Sequence, residues 1–409
     1  MPKETTMSNR FLLPEIIDYI VDDFIRETQT LQNCGLVSKS WVPSTRKQLF
    51  ADVRFTSPKA LESWKKTFPD PRNSPGYHTL NLFIDCPEAI TAADTEEGGW
   101  IQAFSRVVRL YVNSSVGSKI LLAPLYGFSL TLKALHVTLT APQGSQVFEL
   151  VLSFPLLDSI TLNVPDLLLD DDELHPPRSD VPATSPTLTG IFMLLLVRGL
   201  EIAVRRLLDF PNSLHFKIVV LSLLRKEDIR WATELVARCS HTLECLDIMC
   251  RVGTSISALS WTWNLLSFTD DSSSAALNLS RATKLQIVIF ELGLLSVDMI
   301  TMALRTITSE HRDLVQISIY ADADIFGPDI ELDVEAHIHE QWSELDRILF
   351  QLWESGSIHP QVVVVCSMKE EQKMRDFIGW LLPEVGGSGV LDMFTVRKRR
   401  EFVIIRNTE

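Results

Sequence analysis

Four residues within a dozen positions have the side chains to hold a metal ion: Cys239, His241, Cys245 and Cys250. Their spacing, Cys-x-His-x3-Cys-x4-Cys, matches no usual zinc pairing. The segment 243–250, "LECLDIMC", reads as a strand, and Cys245 and Cys250 differ by an odd number, so they point to opposite faces. The better reading is of thiols that pack as small apolar groups. The acidic run "DDDELHPPRSD" (170–180) lacks the alternating ligands and turn glycine of a calcium loop. "GGSG" (386–389) has neither the lysine nor the helix start of a phosphate loop. His337 and His339 are two apart and cannot share a helical face. "RKRR" (397–400) lies between "LDMF" and "EFVII" and reads as a solvated hairpin tip rather than a nuclear address. No catalytic constellation, cofactor motif or metal site emerges, and the chain reads as a non-enzyme.

The bulk properties narrow the class. The 409 residues suffice for two or three domains. A hydrophobic fraction of 46% indicates a well-filled core, and the mean hydropathy is +0.12. The net charge of −14 argues against nucleic-acid binding through a broad basic surface. The longest purely apolar run, Ile191 to Val197, is too short to span a bilayer. The polar start "MPKETTMSNR" does not resemble a secretory signal. The six cysteines then read as free thiols, and a cytoplasmic or nuclear location is expected.

The N-terminal segment "LLPEIIDYIVDDF" (12–24) predicts a helix with Pro14 in its first turn. On a 100° wheel its apolar residues cover roughly 220°, against the ≳100° stripe of an ordinary surface helix. Two further short helices are expected over 31–38 and 39–50, with Ser38 or Ser40 as cap of the last. Three helices in about 40 residues make a marginal core. The surplus apolar surface calls for a second contact.

The same segment, continued as "TLQNCGLVSKSWVPSTRKQLF", resembles an F-box. The residues carrying the resemblance are Leu13, Pro14, Glu15, Ile16 and Ile20, then Cys34, Leu36, Val37, Ser38, Lys39 and Trp41, then Arg46, Leu49 and Phe50. Phe24 and Gly35 depart from the pattern; a glycine inside a helix costs about 1 kcal/mol relative to alanine. The resemblance implies docking on the Skp adaptor of a cullin–RING ubiquitin ligase. It assigns that contact to Leu13, Pro14, Ile17, Ile20, Leu36, Val37 and Trp41.

Beyond Phe55, Ser57 reads as an N-cap with Pro58 behind it. Short stretches of the form apolar-x-x-apolar-x-apolar then recur, starting at 77, 107, 132, 157, 188, 216, 243, 285 and 314. Amphipathic segments lie between them, among them 227–239 (Ile229, Ala232, Leu235, Val236) and 296–309 (Ser296 as cap; Val297, Ile300, Leu304, Ile307). The expected fold is α/β: a small all-helical domain at 10–54, followed at 55–409 by a leucine-rich-repeat-like solenoid with a parallel sheet. Much of 188–382 also resembles the C-terminal halves of F-box proteins of mushroom-forming fungi.

These readings imply a substrate-recognition subunit, with the Skp adaptor and through it cullin as partners and an unidentified protein as target. The alternative is a repeat scaffold outside any ligase, with a vestigial F-box. Alternation places Tyr111, His136, Thr161, Phe192, Val220, Asp247, Ile289 and Ser318 on the sheet face away from the helices. Tyr111, Phe192 and Ile289 are the expected target contacts.

Overall fold

The computed structural model describes residues 13–24, 27–96, 99–114, 122–128, 130–139, 144–166, 186–198, 200–210, 214–223, 226–249, 277–292, 297–322, 336–355, 358–365, 371–387 and 392–396. Cys250, Cys366, Ser296, most of the acidic run's loop and the 397–400 run lie outside them. The chain packs as two compact units, and the division falls near residues 139–158, inside the repeated region.

The first unit begins with α1 (Pro14–Asp23), α2 (Thr28–Val37) and α3 (Val42–Leu49). Strand β1 (Asp52–Phe55), α4 (Pro58–Thr67), β2 (Asn81–Ile84), β3 (Arg109–Ser114) and β4 (Ala134–Leu139) follow, linked by several 3-10 turns. β1 pairs in parallel with β2, and β2 with β3. Residues 52–54, expected in the helical domain, therefore belong to the sheet. The Ser57 cap is present: its side chain accepts the Ala60 N–H at 3.3 Å. Trp64 of α4 meets Phe50, Phe55, Phe68 and Phe104 with ring centroids 4.8 to 6.1 Å apart. This aromatic cluster joins α4, β1 and the end of α3.

The second unit holds α5 (Gly144–Leu152), β5 (Ser159–Asp166), β6 (Ile191–Arg198), α6 (Leu200–Leu208), β7 (Ile218–Ser222), α7 (Lys226–Cys239) and β8 (Cys245–Met249). It continues with β9 (Ile287–Leu292), α8 (Val297–Leu304), β10 (Gln316–Asp322), α9 (Ala336–Ser355), β11 (His359–Val365), α10 (Glu371–Leu381), α11 (Pro383–Gly387) and β12 (Asp392–Val396). Strands β5 to β12 pair in sequence order, all in parallel. Ile229, Ala232, Leu235 and Val236 of α7 are buried as expected, as are Val297, Ile300, Leu304 and Ile307. The chain is thus α/β with parallel pairing. Among the described residues, no helix is long and apolar enough to cross a membrane.

One hydrogen-bond pattern recurs along the sheet. Two successive N–H groups at a strand's entrance share a single carbonyl at the entrance of the preceding strand. Ala51 O takes Leu80 and Asn81; Leu80 O takes Val108 and Arg109; Val108 O takes Lys133 and Ala134. In the second unit Gly190 O, Lys217 O, Glu244 O and Gln286 O do the same for the strands that follow them. Behind each entrance two alternate apolar residues point into the core: Val53 and Phe55, Leu82 and Ile84, Leu110 and Val112, Leu246 and Ile248, Ile317 and Ile319.

Two strands were not expected from the sequence, and two registers differ from it. The two strands are β1 and β11; β12, expected as an arm of a hairpin, pairs in parallel with β11. The repeat placed at Tyr77 starts at Thr79, which is buried where an apolar residue would stand, whereas Tyr77 is exposed. The repeat at 188 carries one extra residue, Gly190. Its N–H bonds Asp158 O at 2.9 Å, and a Cβ there would lie 2.2 Å from Ser159 Oγ. A side chain there requires the Ser159 hydroxyl to leave its bonds with Asp158 and the Ile191 N–H, which favours glycine. The insertion shifts the inward pair to Phe192 and Leu194.

Candidate protein-docking surface

The three-helix segment has a core of its own. Ile17 (2% exposed), Val21 and Leu31 are buried together, and Phe24, Trp41 and Leu49 pack against them. Pro14 occupies the first helical turn behind an extended Leu13. Asp22 of α1 accepts a hydrogen bond from Gln48 of α3. Gly35 of α2 lies against α3, where a Cβ would lie 3.1 Å from Thr45 Oγ1. Thr45 is buried, and its hydroxyl donates to Trp41 O at 3.0 Å and Val42 O at 3.1 Å. The glycine that weakens α2 is also what admits Thr45. Gly35→Ala is therefore expected to destabilise the unit, although alanine gains about 1 kcal/mol of helix propensity. In a Thr45→Ala background the same change is expected to stabilise it. Denaturant unfolding of the four variants checks this coupling.

Outside that core the helices leave large apolar side chains in water. Leu13 (62% exposed), Ile16 and Tyr19 project from α1, and Leu36 (84%) and Val37 (67%) end α2. The chain turns immediately after them. Ser38 Oγ and Ser40 Oγ lie 2.6 Å apart, the Ser40 N–H donates to Ser38 Oγ, and the Trp41 N–H donates to Ser38 O at 3.1 Å. Neither serine caps α3, whose N-cap is Trp41 without a side-chain bond. The turn holds Leu36 and Val37 at the end of a helix that packs on α3.

The seven expected adaptor contacts therefore divide. Leu13, Pro14, Leu36 and Val37 are exposed, and Ile20 is half-buried. Trp41 is half-buried against the core, and Ile17 lies inside it. Ile17 is corrected to a packing residue, because a side chain that fills the unit's interior has no surface to offer. Ile16 and Tyr19 are exposed as well and were not among the expected contacts. The signal was present: 13, 16 and 19 follow a three-residue step, whereas the inward pair, 17 and 21, follows a four-residue step.

The expected target contacts divide as well. Tyr111 lies on the outer strand face of the first unit, in a cross-strand stack. The Arg54 guanidinium stands 5.6 Å from the Phe83 centroid; Phe83 and Tyr111 are 4.3 Å apart at 10°, and Tyr111 and His136 4.3 Å apart at 8°. The register aligns Arg54, Phe83 and Tyr111. Asp85 pairs with Arg54 at 2.8 Å. In the second unit Ile289 is half-buried on its outer face, aligned with Asp247 and Ser318. Phe192 is fully buried (0%) and stacks on Phe216 at 5.1 Å, so it is corrected to a core residue; Met193 takes its outward place, aligned with Val220. Val220, Asp247 and Ser318 are also buried, so the outward row is not the open apolar strip expected.

Burial, and secondarily the charge of Arg109, push the His136 imidazole down to about 4. The unfolded chain binds that proton near pH 6.5 and the fold does not until about 4, so protonation in this window favours unfolding. The contribution is complete above pH 6.5 and is lost as pH falls towards 4. It is at most about 3 kcal/mol, reduced by the solvent the ring retains. Thermal unfolding of the wild type and His136→Phe across pH 4–7 is expected to show a smaller loss in the variant.

Three residues of the cysteine cluster are described. Cys239 is buried at the end of α7 and Cys245 starts β8, with burial pushing each thiol up to about 12; His241 is exposed in the turn between them. Among the described residues no three His, Cys, Asp or Glu side chains are grouped to hold a metal ion. No family model matches the sequence, and a search of curated proteins gives no match.

Proposed function

We propose that the chain is a substrate-recognition subunit of a cullin–RING ubiquitin ligase. In this reading the three helices are an F-box that docks on a Skp-family adaptor, and the strands and helices after them form a leucine-rich-repeat-like solenoid that selects the target protein. One observation carries it: a segment of about 40 residues closes its own core with Ile17, Val21 and Leu31 and still exposes Leu13, Ile16, Leu36 and Val37. Exposed apolar side chains concentrated at helix ends favour a protein partner. The F-box-like order of residues from Leu13 to Phe50 names the partner's class. The repeated strand entrances support the solenoid. Adaptor contacts are then Leu13, Pro14, Ile20, Leu36, Val37 and Trp41, joined by Ile16, and Tyr111 and Ile289 remain target-contact candidates. Co-expression with a Skp-family adaptor tests the reading: a stable one-to-one complex supports it, and a chain that elutes alone favours a scaffold with a vestigial F-box.

A further inference from the structure

The chain carries a net charge of −14, yet one surface of the first unit concentrates cations. Arg46 and Lys47 stand in the last turn of α3. α3 packs on the 3-10 turn Pro75–His78, and Ala51, just beyond α3, binds the Leu80 and Asn81 amides through its carbonyl at 2.8 and 3.0 Å. This contact brings Tyr77, His78 and Leu80 beside the helix end. Arg106 reaches the same place, its guanidinium 5.6 Å from the Tyr77 ring, which lies 4.4 Å from His78. Arg46, Lys47 and Arg106 are exposed, and among the described residues none of them pairs with a carboxylate. Burial first, and then Arg106, Arg46 and Lys47, hold His78 below its usual range. Tyr77 and Leu80 leave apolar surface exposed between the charges.

We infer that this surface, formed by Arg46, Lys47 and Arg106 around Tyr77 and Leu80, docks an acidic protein segment that carries an apolar or aromatic residue between its carboxylates. The cations supply long-range attraction and orientation. Tyr77, Leu80 and the flat guanidinium of Arg106 supply the desolvated centre that such interfaces favour. A nucleic acid matches the surface less well, because three phosphate contacts give only shallow binding and a phosphate backbone offers nothing for Tyr77 and Leu80. None of its residues is among those assigned to the adaptor, so the inference stands or falls independently of the adaptor reading.

The test uses the full-length chain and a dye-labelled peptide in which Leu-Phe lies between two blocks of Asp and Glu. Fluorescence anisotropy at low ionic strength is expected to show this peptide binding about tenfold more tightly than its Asn/Gln counterpart. The pair Lys47→Glu and Arg106→Glu is expected to remove that advantage, and Lys47→Gln with Arg106→Gln to reduce it. Unchanged circular dichroism ensures that both variants report on charge alone. Equal binding of the acidic and amide peptides, or binding indifferent to charge reversal, overturns the inference. Tighter binding of phosphatidylserine vesicles or of oligothymidylate than of the acidic peptide also overturns it, by assigning the patch to another class of partner.

Discussion

Leu36→Asp is expected to weaken adaptor binding at least about tenfold while leaving the chain as stable as the wild type. Leu36 is 84% exposed, so a carboxylate there stays solvated in the free protein and strains nothing. On docking, the same carboxylate must lose its water against an apolar partner. Loss of a buried interface anchor typically costs ≥2 kcal/mol, which is more than a decade in affinity. Leu13→Asp is expected to act in the same way from the other helix. Ile17→Ala provides the contrast. It empties a position inside the three-helix core and is expected to cost about 2–5 kcal/mol of stability, with adaptor binding reduced only as the folded fraction falls. Calorimetric affinity and chemical unfolding, measured on the same three variants, separate the two roles. An Ile17→Ala protein of full stability, or a Leu36→Asp protein of full affinity, contradicts the assignment.

The second large effect is on the second unit. Phe192→Ala is expected to destabilise that unit by about 3–5 kcal/mol, because the side chain is fully buried and stacks on Phe216. Ile289→Ser, on the opposite face and half-buried, is expected to cost far less. Denaturant unfolding followed by tryptophan fluorescence reads the difference, as an early transition in Phe192→Ala alone. With two compact units, separate transitions are fitted rather than one. A Phe192→Ala chain that unfolds like the wild type contradicts the shifted register at Gly190.

Where the sequence was legible, its signals were periodic and local. Pro14 and Ser57 marked helix starts because their chemistry is confined to one or two positions. The strand motif exposed most repeats, since each one buries the same two alternating apolar side chains. The misses have equally local causes. Thr79 fills an apolar slot with a hydroxyl, so the motif was read two residues early at Tyr77. Gly190 adds one residue to a repeat; a single-residue shift inverts the strand, and Phe192 passed from the core to the surface on paper. β11, "HPQVVVV", is apolar on successive residues and shows no alternation to read. At the candidate site the wheel over 12–24 holds two faces, a three-residue step through 13, 16 and 19 and a four-residue step from 17 to 21. Which of them is interior is decided by Leu31 and the side chains beside it, which close on Ile17 and Val21.

Amide hydrogen exchange of the full chain, alone and with one equivalent of a Skp-family adaptor, tests docking through the three helices most directly. Such docking gives new protection over residues 13–20 and 34–41 and leaves the strand amides of β2 to β10 unchanged. No complex, or protection confined to the strands while the three helices exchange as before, contradicts it.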